Sequence, residues 1–104
     1  MAKSNLEFFR SAVEKDPNNT FARYSLAMEY RKAGDFMNAL ETFREIINRD
    51  PAYIAAYLMA AQTAVDADDE DTAEEILRAG IEMATTQNNT HAASEMQDLL
   101  DSIS

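Results

Sequence analysis

The sequence predicts an all-α fold: a stack of antiparallel helix pairs, about six helices in a single domain. Three observations point there. The segments Glu7-Phe8-Phe9-Arg10-Ser11-Ala12-Val13, Glu41-Thr42-Phe43-Arg44-Glu45-Ile46-Ile47 and Glu75-Ile76-Leu77-Arg78-Ala79-Gly80-Ile81 align without a gap at a spacing of 34 residues. The pairs Asp16-Pro17 and Asp50-Pro51 recur in the same phase. The 104 residues include only two Gly and two Pro, so helices run between short turns with little to interrupt them. A period of this length marks units too small to bury an apolar face alone, which gain a shared core by stacking.

Periodicity and punctuation place helical segments at about 4–15, 19–33, 36–49, 52–66, 70–84 and 89–102. In the second, Phe21, Tyr24 and Met28 mark one face and Ala22, Leu26, Ala27 and Tyr30 another, the pattern of a helix inside a stack. Gly34 suits the left-handed residue that ends this helix, and Asp35 suits the cap of the next. Pro17 and Pro51 each follow an Asp, which predicts a proline in the first turn of a helix capped by that Asp. The fourth segment is apolar nearly all round from Ala52 to Ala61, unusual for a helix with one face in water. Asp68 then stands where Gly34 stood one repeat earlier. In the last segment Ala92, Ala93, Met96, Leu99, Leu100 and Ile103 form one stripe opposite Glu95, Asp98 and Asp101, as expected of an end cap. The repeated Glu and Arg three residues apart are expected to pair on exposed faces.

Charge narrows the partners. The net charge is −10 and uneven: residues 1–50 carry eight basic and eight acidic side chains, residues 51–104 only Arg78 against eleven acids. A phosphate backbone would be repelled by the second half, which excludes nucleic acid. That half is either a solubilising face or a docking surface for something basic. No cysteine is present, no apolar core of a signal peptide lies in the first twenty residues, and the longest apolar run is half a membrane span. These features lead us to expect a soluble, cytoplasmic protein away from membranes.

His91, the one histidine, has no Cys or base–acid arrangement near it in sequence and reads as a helix-start polar residue. Gly34 and Gly80 stand alone, so no phosphate loop exists. Set as a calcium loop, the run from Asp66 puts Asp71 where Gly should turn the chain and Leu77 where a bidentate Glu should close it. Acids there instead complement the dipole of the helix they precede. No enzyme activity, cofactor or metal is expected.

The series Leu26-Ala27-x-x-Tyr30, Gly34, Ala39-x-x-x-Phe43, Ile46 and Pro51 resembles the tetratricopeptide repeat, with Arg23 where that family favours Trp. Tyr57, Ala60, Ala61, Ala64, Ala73, Leu77 and Gly80 match it more loosely, with Thr85 in place of Pro. The resemblance implies a right-handed superhelical α-solenoid: a half repeat at 4–15, repeats at 20–53 and 54–87, and a capping helix at 89–102. It also implies a protein-binding role, as an adaptor or chaperone-like module. Small residues Ala27, Ala39, Ala61 and Ala73 fall where the helices of one hairpin must approach closely, and Phe9, Phe43 and Leu77 fall between units.

In that family the first helix of each unit lines a concave groove. Carried over by position, this implicates Phe21, Tyr24, Met28, Arg31 and Lys32, then Ala55, Leu58, Gln62, Val65 and Asp66, with Met59 beside them. A subgroup that grips acidic C-termini uses Lys and Asn at such places; Tyr24, Met28, Leu58 and Gln62 stand there instead, so that clamp is not expected. The implied floor is apolar and Met-containing, suited to a peptide or helix with an apolar or basic segment. Two other readings compete: the stripe is a homodimer seam of a self-associating structural protein, or it is core. The chain is accordingly expected to be a monomer or a homodimer.

Overall fold

In the computed structural model, which describes residues 4–104, six helices follow one another: α1 (Asn5–Lys15), α2 (Thr20–Lys32), α3 (Phe36–Arg49), α4 (Ile54–Asp66), α5 (Glu70–Thr86) and α6 (Thr90–Ile103). No strand occurs among the described residues. Each helix packs chiefly on its neighbours in sequence, so the hairpins stack in a line measuring 45 × 28 × 19 Å.

Side-chain caps fix where five of the six helices start; Tyr53, before α4, makes no such bond. Ser4, Asn19, Asp35, Asp69 and Asn89 each accept a hydrogen bond from the backbone N–H three residues on, satisfying a donor the helix cannot. Thr72 donates to Asp69 from both its hydroxyl and its N–H, which holds that carboxyl below the ordinary aspartate range. The ends are equally determined. Gly34, Asp68 and Asn88 have φ of 78°, 60° and 59°, and the next N–H reaches back to the carbonyls of Tyr30, Ala64 and Ala84. Asp68 thus does take the role of Gly34.

Two local expectations need correction. Pro17 and Pro51 lie in the turns before α2 and α4, not within their first turns. Asp16 and Asp50 end the preceding helices, and their carbonyls accept from the N–H groups of Asn19 and Tyr53, so each proline occupies the second place of a four-residue turn where its fixed φ fits. Where Thr85 replaces the proline, α5 continues to Thr86, beyond the expected end. The three-residue Glu–Arg pairing also gives way. Arg10 donates to the Tyr30 hydroxyl on α2 instead, while the helix-surface pairs are Glu45–Arg49 and Glu74–Arg78, four apart, at 2.7 and 2.8 Å.

The core runs along the stack. Ala27, Ala39, Ala61 and Ala73 are fully buried, and their small size lets the hairpin helices close on one another. Phe43 and Leu77 fill the space between them. The all-round apolar character of α4 has a plain cause: it packs on α3, α5 and α6, and Tyr53 at its start meets Tyr24 of α2. At Gly80 a Cβ would lie 2.6 Å from Met96 Sδ and 2.7 Å from Tyr57 Cβ, so the three C-terminal helices meet where only hydrogen fits.

A repeated polar device ties each hairpin to the turn before it. Arg23 donates to the carbonyl of Pro17 at 2.6 Å, and Tyr57, one period later, donates to that of Pro51 at 2.6 Å. Arg23 therefore does the polar part of the work of an aromatic residue at this position. Burial lowers its pKa and raises that of Tyr57.

Candidate cleft on the inner face

Helices α2, α4 and α6 share one surface of the stack. Between them lies a cleft of about 360 Å³ lined by Tyr24, Ile54, Ala55, Leu58, Met59, Asn89, His91, Ala92, Glu95 and Met96. Its floor is mostly apolar. Its polar edge is Asn89, His91 and Glu95, with His91 Nε2 and Glu95 Oε1 2.9 Å apart.

The structure divides the residues expected to form a groove. Tyr24, Leu58 and Met59 come together in the cleft, with Ala55 beside them. Phe21 lies outside its lining and is 71% exposed, and Gln62 is exposed without contributing to it. Met28, Arg31 and Lys32 edge a separate, shallower depression with Glu29.

Arg31 is not a free cation. It donates to Thr63 Oγ1 at 2.9 Å, pairs with Asp66 at 2.9 Å, and its guanidinium lies 5.9 Å from the centre of the Phe36 ring. Arg31 and Asp66, both expected to line the groove, thus neutralise one another across α2 and α4, while Lys32 is exposed. Tyr24 is also partly structural. Its ring meets Phe43 and Tyr53 edge-on at 5.5 and 5.8 Å, and burial pushes its phenol pKa up.

Sequence reasoning missed the third wall. Asn89, Ala92 and Met96 stand one further period beyond Ala55, Leu58 and Gln62, so extending the same 34-residue register to α6 would have found them. Two other clefts, about 480 and 190 Å³, lie along α3 and α5 and are edged by Glu41, Arg44, Glu45 and Glu75. Their mixed charges give an apolar partner less to hold than the inner cleft does.

Among the described residues no three His, Cys, Asp or Glu side chains are arranged to hold a metal ion. In the acidic run, Asp66 is paired with Arg31, Asp68 makes the left-handed turn and Asp69 caps α5. Millimolar calcium is expected to shift the melting temperature no more than magnesium does; a saturable, calcium-selective rise in a thermal melt would contradict this assignment. No helix among the described residues is long and apolar enough to cross a membrane.

Tetratricopeptide repeat profiles match residues 30–96 and residues 8–41. The solution structure of a tetratricopeptide repeat domain protein from Salinibacter ruber is 32% identical, with a TM-score of 0.78 over 85% of this chain and 89% of that one. The crystal structure of PcrH in complex with the chaperone binding region of PopD superposes at a TM-score of 0.86 and 17% identity, over 94% of this chain and 74% of that one. A Bordetella parapertussis protein in solution gives 0.82 at 20% identity, over 98% and 89%. No curated protein matches the chain.

Proposed function

This chain belongs to the tetratricopeptide repeat family, and on that footing we propose that it is a non-enzymatic protein-binding module, adaptor or chaperone-like, that holds a peptide or helix of another protein in the cleft between α2, α4 and α6. The observation that carries the reading is the cleft itself: three successive first helices contribute Tyr24, Leu58, Met59 and Ala92 to one apolar surface that the other described residues leave open. A volume of about 360 Å³ accommodates a few apolar side chains of a partner, not a small protein core. Methionine at 59 adapts to different apolar shapes. Glu95 at the edge, on the half of the chain that carries the whole net charge, favours basic residues beside the partner's apolar ones. PcrH, of the same fold, binds the chaperone binding region of PopD, which lends the reading support by analogy.

The test must block the cleft without removing core contacts. Tyr24 is unsuitable because it packs on Phe43, whereas Ala55 is exposed at the cleft wall near the start of α4. Ala55→Arg is expected to keep helicity and melting close to those of the unaltered protein and to abolish affinity capture of the partner from native lysate. Undiminished capture by a folded Ala55→Arg protein would refute the proposal.

A further inference from the structure

The two ends of the stack differ in chemistry, and the 34-residue register makes the difference explicit. In α3, Ala39, Phe43 and Ile46 are buried; in α5, Ala73, Leu77 and Gly80 are buried at the same positions. The matching residues of α1 are Asn5, Phe9 and Ala12, of which the first is exposed and the others only half-buried. Beside them Phe8 is 60% exposed, its ring edge-on to that of Phe9 at 5.2 Å. α1 contains no buried residue at all. Among the described residues, nothing covers a face that the fold elsewhere buries.

The opposite end is adapted to water. Where the first two units place Arg23, Leu26, Ala27 and Tyr30, then Tyr57, Ala60, Ala61 and Ala64, α6 carries His91, Ser94, Glu95 and Asp98, all exposed. This asymmetry decides what can sit on α1. Joining one copy's α6 end to the next copy's α1 end would press Glu95 and Asp98 against Phe8 and Phe9, leaving carboxylates desolvated without partners. Joining two α1 ends has no such cost.

We propose that the N-terminal end of the stack is an interface on which a second copy of this chain docks head to head, α1 against α1. Charge supports this occupant. Residues 1–50 are neutral, and residues 51–104 carry the entire −10, so a head-to-head pair holds its two acidic halves apart. Such a pairing is two-fold and closed, giving a dimer and no fibre. The face of one 11-residue helix is small, below the roughly 1,200 Å² of a standard interface, so the association is weak and concentration-dependent. It lies at the α1 end, outside the inner cleft, and stands or falls independently of the cleft reading.

Sedimentation equilibrium from about 10 µM to about 1 mM, the range of weak association, tests it. The unaltered protein is expected to rise from 11.6 kDa toward twice that mass. Phe8→Glu should stay monomeric with unchanged helicity, and Phe8→Gln serves if the glutamate disturbs the helix. Controls on other surfaces, Met37→Glu on α3 and Ala55→Arg in the cleft, should dimerise like the unaltered protein. A mass fixed at 11.6 kDa at the highest concentration, a Phe8→Glu protein that dimerises undiminished, or a dimer abolished by either control would overturn the proposal.

Discussion

A protein lacking residues 89–104 is expected to aggregate or to melt far below the intact chain, over a broad transition. α6 buries Met96 completely and Leu100 almost so, and sets Ala92, Ala93, Leu99 and Ile103 against the core. Burying a Met or Leu side chain contributes about 1.5–3 kcal/mol each, so the helix supplies several kcal/mol before ordering entropy is subtracted. Domains of this size are stable by only about 5–15 kcal/mol. Removal would also bare the surfaces of Gly80 and Tyr57, which meet Met96. Ile76, by contrast, lines a cleft with Ile47 and Tyr57 on the α3 side and would keep those neighbours. A thermal melt with light scattering checks this; unchanged stability would mean that α6 is a detachable arm and not a cap.

Phe43→Ala is expected to cost about 3–5 kcal/mol, and the same change at Phe9 much less, although the two occupy equivalent positions in successive repeats. Phe43 is fully buried between α2 and α4, with Tyr24 edge-on to its ring. Phe9 is only half-buried, on a helix that packs chiefly against α2. Because stacked units share each interface with one neighbour, burial and hence energy depend on where a unit sits in the stack, not on its sequence alone. Urea unfolding of both variants at low protein concentration, where α1 is not paired, measures the contrast. Equal losses would show that the α1 end is as enclosed as the middle.

Much of this fold is legible in the sequence because its determinants are local and recur. The 34-residue phase places the hairpins, Gly34 and Asp68 mark equivalent helix ends, and the alanines at 27, 39, 61 and 73 mark the close approaches. Legibility fails where the deciding contact is distant in sequence. Nothing near Arg31 in the chain signals that Thr63 and Asp66 will take up its charge, 32 and 35 residues on. Nothing near Arg23 signals that its guanidinium will replace the aromatic side chain the family prefers by bonding the Pro17 carbonyl. The phase of the Asp-Pro pairs is legible but not their side of the helix boundary, because the same two residues suit both a helix start and a tight turn. The cleft is half legible: its α2 and α4 walls follow from repeat positions, while the single apolar stripe of α6 signals only a cap and conceals that Ala92 and Met96 also face the inner surface.

The central claim is that the inner cleft holds the partner. Its most direct test is amide chemical-shift mapping on the isotope-labelled chain, titrated with the captured partner's binding segment at protein concentrations too low for self-association. The account predicts shifts concentrated at Ala55, Leu58, Met59, Ala92 and Glu95, across α4 and α6. Shifts concentrated instead at Glu41, Arg44, Asn48 and Glu75, along α3 and α5, would contradict it.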